Sequence, residues 1–276
     1  MAGYKFDYET KLWGGEVLRL MPSHFRASRL YYALQALSHT KGKVLDTGCG
    51  LGDFSEAIKH YYPHLDIYAI DISKKAVSRA RKRVPAVSFA VADVQALPFK
   101  DNYFDAVVCF DLIEHVRYPQ KALREIARVL KPGGVFHLFI PTEGNVFTPE
   151  GLLIRLGWKG KELYGGHPHS FTPNGAKDMV DKAGFTIVKS RWGDHFIHQA
   201  LEILHFTTLL LRRKNISTTV EGLLSTSGSN PAIYPLKLVK NFLATLSYYE
   251  TRALYWLPAL GLHLTLTRNE TSPKTS

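Results

Sequence analysis

Three glycines, Gly48, Gly50 and Gly52, follow a β-branched run that reaches Asp46 and precede a helical pattern starting at Asp53, in VLDTGCGLGDF. Lacking side chains, they let backbone amides approach a ligand closely at a helix start, which is the chemistry of a nucleotide-cofactor loop. A dinucleotide fingerprint would place its third glycine at position 53, where this chain has Asp53, so the spacing points away from a pyrophosphate. Two further acids end the runs that follow: Asp71, before Ile72 in LDIYAIDIS, and Asp93, before Val94 in VSFAVADV. An acid at the first place accepts from both ribose hydroxyls. One at the second stands beside an adenine amino group, with the Val94 amide facing a ring nitrogen.

An acidic rim of this kind suits a ligand with an ammonium and a sulfonium, while the helix N-terminus receives its carboxylate. Those groups together describe S-adenosylmethionine. Downstream, Asp111-Leu-Ile-Glu114-His115 follows the run FDAVVCF, and His167 and His169 stand in GGHPHSFTP. These five residues are the candidates for a general base. At i, i+3 and i+4, Asp111, Glu114 and His115 converge on one face where the segment is helical, and a hard cation could then polarise an acceptor. Without a metal, which is the expectation here, the same residues shape the pocket.

Elements that would position these groups are legible around them. The runs VLDTG, LDIYAID, VSFAVAD, FDAVVCFD and VFHLFIP alternate with helical patterns at 53–62, 73–83 and 119–130, as in a parallel sheet with helices on both faces. Ser73 suits an N-cap and Pro119 a first helical turn. Lys131-Pro-Gly-Gly stops the third helix and feeds a strand at 135–140. A helix is expected at 175–183, strands at 184–191 and 262–268, and an apolar helix at 29–37.

The motifs VLDTGCGLGDF, IYAIDIS, ADVQALPF, DNYFDAVVCFDLIEHV and EIARVLKPGGVFHLFIP resemble, in order and spacing, those of the class I S-adenosylmethionine-dependent methyltransferases across roughly residues 40–192. The resemblance implies an α/β, Rossmann-like, doubly wound and mostly parallel seven-stranded sheet. Its last strand is antiparallel, and a helical insertion separates strands six and seven. It also implies that Asp46 and Gly48 flank the methionine moiety, that Asp71 takes the ribose and Asp93 and Val94 the adenine, and that Phe110 lines the pocket. The run from Asp111 to His115 is similar to the E-x-x-E-H run of the ubiquinone-biosynthesis O-methyltransferases, where it is implicated in divalent-metal binding, with Asp111 in place of the first glutamate. His167 matches the family's histidine before an F-[ST]-P helix start and would face the acceptor. The expected divisions are an N-terminal lid and helix (1–42), the cofactor-binding core (43–193), the insertion (194–261), and the last strand with a tail (262–276).

About seventy residues separate Arg191 from Leu262, and they hold LEILHFTTLLLRRK and YPLKLVKNFLATLSYYETRALYWLPALG. Large apolar content bordered by Arg212, Arg213, Lys214, Lys237, Lys240 and Arg252 suits interfacial helices. It suits equally a wall around a greasy acceptor, a cover for the sheet edge or a homodimer interface. The stretch from Gly151 to Gly166 has similar character. Tyr4, Phe6 and Tyr8 form either an aromatic lid over the sulfonium or a packed terminus. Net charge is +11 over 276 residues, which fits nucleic acid, an anionic membrane surface or an acidic substrate equally well. A nucleic-acid methyltransferase ranks low, because the fourth strand ends in Phe110-Asp111-Leu-Ile and not in an N/D-P-P-Y type run; a non-catalytic cofactor-binding subunit is a third reading. Cys49 and Cys109 lie in apolar context, the N-terminus lacks a secretory pattern, and Glu250 and Arg252 interrupt the longest apolar stretch. The expected protein is cytoplasmic, peripheral at the inner face of a membrane, and acts on a small, hydrophobic or lipid-like acceptor.

Overall fold

The computed structural model describes residues 9, 12, 14–212 and 234–270. Tyr4, Phe6, Tyr8, Arg213, Lys214, the Ser-rich patch at 225–230 and residues 271–276 lie outside the described residues, as does the Arg212 side chain. Seven strands form one sheet in the order β3-β2-β1-β4-β5-β7-β6. In chain order they are β1 (Lys43–Thr47), β2 (Asp66–Asp71), β3 (Ser88–Val91), β4 (Phe104–Phe110), β5 (Leu130–Pro141), β6 (Phe185–Gly193) and β7 (Gly261–Arg268). The first five pair in parallel, and β7 runs antiparallel between β5 and β6. This is the doubly wound architecture expected from the motifs.

The central strands read as continuous apolar runs because helices cover both faces. On one side, α1 (Ala27–Leu37), α2 (Asp53–Tyr61) and α3 (Lys74–Arg83) pack on Val44, Ala106, Val108 and Phe139. On the other, α4 (Pro119–Val129) and α6 (Pro173–Lys182) pack on Leu45, Val107 and Leu138. Local chemistry sets the helix starts. The Ser73 hydroxyl accepts from the Ala76 amide at 3.1 Å, the Thr172 hydroxyl accepts from the Gly175 amide at 3.1 Å, and Pro119 opens α4 where no N–H is needed.

Two local expectations change. β5 begins at Leu130 rather than 135, because the Lys131-Pro-Gly-Gly turn is taken up beside a register shift between Phe104 and Ala106, with Gly133 at φ +71°. More consequentially, residues 111–116 are turns and not a helix.

Asp53, standing where a third fingerprint glycine would sit, pins the N-terminal segment instead. Its buried carboxylate accepts from the Gly15 amide at 2.9 Å, Arg26 at 2.8 Å and Arg83 at 2.6 Å. Asp53→Ala would leave two guanidinium groups and an amide without that acceptor. A loss of about 3 kcal/mol is expected, read by thermal denaturation.

Candidate active site

Functional side chains gather at the carboxyl ends of β1, β2, β4 and β5, where an open α/β sheet offers its crevice. The glycine loop is held in place by the amides of Gly48 and Cys49, which both donate to the Ile70 carbonyl, at 2.8 and 2.9 Å. Gly48, Gly50 and Gly52 have φ of +72°, +53° and +81°, a region that strains any other side chain. A Cβ at Gly48 would come within 2.9 Å of Leu112, and one at Gly52 within 2.8 Å of Phe89, so the loop closes on β3 and on the segment after β4. Asp71 accepts from the Gly50 amide at 2.8 Å and the Ser73 amide at 2.9 Å, tying the loop to the end of β2. Asp93 accepts from the Gln95 amide at 2.8 Å, Val94 is buried, and Ile72 is exposed beside the loop. Phe110 stacks on Phe54 at 3.9 Å between ring centroids.

Asp46 is buried and accepts from the Ser55 hydroxyl at 2.5 Å. Burial without a neighbouring cation pushes its carboxyl up to about 7. Three glycines in left-handed conformations and a buried, cation-poor acid fit the charge pattern of S-adenosylmethionine.

The run after β4 is not helical, so the condition for Asp111, Glu114 and His115 to converge on one face is not met. Asp111, at φ +46°, turns away to an ion pair with Arg29 of α1. The same guanidinium bonds Asp194 at the end of β6 at 2.7 Å and lies 4.0 Å from the Phe139 ring centroid. Asp194 is also left-handed, at φ +54°. One buried arginine thus clamps two strained aspartates from different strands.

Glu114 and His115 meet His167 instead. One ligand-type atom from each lies within 4.8 Å of the others, close enough to share a proton or one cation. Glu114 is fully buried, and neither carboxylate oxygen accepts a hydrogen bond from another described residue. Burial pushes it up to about 8, against the pull of His167. His115 Nδ1 donates to the Gly166 carbonyl at 2.8 Å, and burial lowers its imidazole to about 3, so it is neutral. His167 Nδ1 donates to Glu143 Oε1 at 2.6 Å. Burial opposes the imidazolium, but Glu143 outweighs it and raises the His167 pKa. His169 sits apart, its Nε2 donating to the Val116 carbonyl at 2.9 Å.

Several charged residues here were not among the expected ones. Lys161, in the π-helical turn Lys161–Gly165, is buried among Glu150 of α5 (Pro149–Arg155) at 2.7 Å, Glu202 of α7 (Phe196–Arg212) at 2.7 Å and Glu143 at 3.6 Å. Glu202 is 3.6 Å from His198, and His198 is 3.9 Å from Asp194. Burial disfavours the His198 cation, yet Asp194 and Glu202 raise it to about 9. The charges run continuously from Asp111 through Arg29, Asp194, His198, Glu202, Lys161 and Glu143 to His167, returning to the segment after β4. A separate open depression of about 400 Å³, lined by His39, Lys41, Asp105 and Lys131, lies at the opposite ends of the strands. Lys131 and Asp105 pair there at 2.5 Å.

Sheet order, glycine loop and acids at the ends of β1, β2 and β3 define a cofactor-binding α/β domain of the methyltransferase type. Residues 45–138 match the family model described as a methyltransferase domain. The demethylmenaquinone methyltransferase of Renibacterium salmoninarum is 41% identical over 92 residues, 33% of this chain and 38% of that protein. The malonyl-[acyl-carrier protein] O-methyltransferase of Legionella pneumophila is 30% identical over 188 residues, 66% of this chain and 61% of that protein. Among solved structures, a Bacillus halodurans protein described as a candidate methyltransferase is similar with a TM-score of 0.58 at 20% identity, over 88% of this chain and 100% of that one, a likeness of fold. The chain spans less than two thirds of the length of these curated relatives. Over residues 45–138 the chain thus carries a methyltransferase domain, and S-adenosylmethionine is the cofactor that such a domain implies.

Proposed function

We propose that this chain transfers a methyl group from S-adenosylmethionine to an oxygen or carbon of a small, hydrophobic, lipid-like acceptor, working as a peripheral protein at a bilayer surface. The observation that carries the reading is the His167–Glu143 pair, 2.6 Å apart, clustered with the buried Glu114 on the segment after β4 whose Leu112 closes on Gly48. The sulfonium supplies an activated methyl carbon, so the protein's work is to align the acceptor, exclude water and take up a proton. Gly48, Gly50 and Gly52 admit the cofactor backbone, Asp46 meets its ammonium, and Asp71 accepts from the ribose. Asp93 and Val94 meet the adenine, while Ile72 and Phe110 flank its ring.

His167 is the general base. Glu143 holds Nδ1–H, which leaves Nε2 to accept the acceptor's proton and steadies the imidazolium that results. Glu114, protonated near neutral pH, donates to the acceptor oxygen, and neutral His115 completes the wall. Asp111 acts in orientation through Arg29 rather than as a base. The acceptor reading draws on the apolar insertion and on the two relatives, whose names refer to a quinone-type substrate and to an acyl-carrier-bound one. Radiolabelled S-adenosylmethionine incubated with fractionated lipid, small-molecule and RNA pools tests it. Label entering the lipid pool is expected; label entering RNA alone would replace it. Proton transfer by His167 predicts that activity survives EDTA, and a loss restored by Mg²⁺ or Zn²⁺ would reassign Glu114, His115 and His167 to a cation.

Asp46 adds a prediction about pH. Its pKa is raised to about 7 in the free protein by burial, and a bound ammonium favours the ionised form. Binding therefore releases a proton below that value. Affinity for S-adenosylmethionine is expected to strengthen by about tenfold per pH unit as pH rises toward 7, and to level off above it. Calorimetric titrations across that range check this, with Asp46→Asn giving weaker, nearly pH-independent binding.

A further inference from the structure

Helices that pack on a protein core bury their apolar side. The insertion buries Leu209 and Ala244 in this way, but it also turns polar side chains inward and large apolar ones outward. On α7, His198, Gln199 and Glu202 face inward and engage the charged chain around Lys161, whereas Phe196, Leu204 and Leu211 are 54%, 66% and 81% exposed. On α8 (Tyr234–Ala253), Ala244, Ser247 and Thr251 are buried, while Leu238, Phe242, Leu246 and Tyr249 form an outward stripe at helical spacing. Phe147, 91% exposed, lies four residues beyond Glu143, so exposed apolar surface reaches the rim of the candidate site.

Charge identifies what covers this face. Neither outward stripe holds a charged residue. The carboxylates of the two helices are turned away from it, Glu202 onto Lys161 and Glu250 onto the Ile197 amide at 3.2 Å. Exposed cations stand at the edges, Arg252 after the α8 stripe and Arg155 and Lys159 beside α5, with Glu162 the neighbouring exposed acid, 4.0 Å from Lys159. A second copy docked through the same patch would bring these cation-rich edges together, with no outward carboxylate on the described residues of α7 or α8 to answer them. Anionic headgroups supply the missing charge, and acyl chains the missing apolar contact. No described helix is long and apolar enough to cross a membrane, so such a contact lies in the interface plane. Trp256 and Tyr255, both exposed just past α8, suit headgroup depth.

We propose that the outward faces of α7 and α8 dock this protein on the surface of an anionic bilayer. Its purpose rests on the apolar-acceptor reading: α7 then presents lipid on one side and completes the acceptor site with His198 and Glu202 on the other.

Co-sedimentation of the full chain with phosphatidylglycerol–phosphatidylcholine vesicles, against phosphatidylcholine alone, tests the docking. Binding is expected to the anionic vesicles, to weaken with added salt, and to fall at least tenfold in Phe242→Asp and in Leu204→Asp. Both substitutions lie on exposed positions, and unchanged melting temperature and S-adenosylmethionine affinity show that each variant is folded. Vesicle-indifferent protein overturns the proposal. So does a concentration-dependent dimer in analytical ultracentrifugation that Phe242→Asp dissolves without affecting vesicle binding. The two readings fail separately: vesicle binding with label entering only water-soluble acceptors removes the lipid-like acceptor and leaves the docking surface standing.

Discussion

His167→Gln is expected to lower kcat for methyl transfer by about 10²–10⁴-fold while leaving S-adenosylmethionine affinity within about twofold. The imidazole is the group in the cluster that combines a held tautomer with an available second nitrogen, because Glu143 takes Nδ1–H at 2.6 Å. Glutamine keeps some of the hydrogen bonding and much of the volume, so a loss of rate without a loss of fold or cofactor binding isolates proton transfer. Glu143→Gln should fall between the two proteins. The amide can still accept from Nδ1–H but cannot stabilise the imidazolium, and removing the carboxylate lowers the His167 pKa that it had raised against burial. The acid limb of kcat/KM is then expected to move to lower pH as the maximum rate drops. Single-turnover rates over a pH series, with the acceptor saturating, separate these outcomes. A His167→Gln variant of wild-type rate would remove the base assignment and leave Glu114 as the acid–base group.

The loop conformation and the strand-end acids expected for the cofactor half were legible because they are written locally. Glycines 48, 50 and 52 need positive φ wherever they occur in such a loop, and Asp71 and Asp93 reach their places because a strand ends there. The acceptor half is written across distance. Reading Asp111, Glu114 and His115 as one face presupposed a helix, and the left-handed Asp111 broke that geometry by turning to Arg29, 82 residues earlier. Nothing in the pattern of α1, an apolar helix in sequence, marks Arg29 as a buried clamp. Lys161, Glu150, Glu202 and His198 lie in stretches whose apolar content drew the reading toward lipid. The available signal was the isolated charge: a single acid in LEILHF has no reason to sit in an apolar helix unless a buried cation waits for it. The sequence left the apolar residues around Glu202 open between surface and packed interface, and it gave no sign that the same helix turns a polar side, with His198 and Glu202, toward Lys161.

That polar side leads to the largest stability effect expected. Lys161→Met should cost about 3–5 kcal/mol, because the cation shared by Glu143, Glu150 and Glu202 is removed while the carboxylates stay in place. The loss should depend on pH in a direction opposite to ordinary acid denaturation. In the wild type, burial raises Glu143 and Glu202, but their cationic neighbours hold both below the usual carboxylate range. Their contribution is therefore present above the unfolded value of 4.5 and fades as pH falls through the lower folded values. Glu150, pushed up to about 7 chiefly by burial, works the other way: its contribution is present below 4.5 and is lost as pH rises to about 7. Without Lys161 all three carboxyls move upward; Glu150 loses its one named cationic neighbour, while His167 and His198 still face Glu143 and Glu202. The variant should be weakest above pH 7 and recover toward the wild type as protons neutralise the cluster. Urea denaturation at a series of pH values measures this, and a deficit constant with pH would show that Lys161 acts by packing alone. Adding Glu150→Gln and Glu202→Gln to Lys161→Met removes two of the uncompensated charges and should restore much of the stability at neutral pH. Methyl transfer should stay impaired, since Glu143 and His167 would still lack the cation that helped hold them in register.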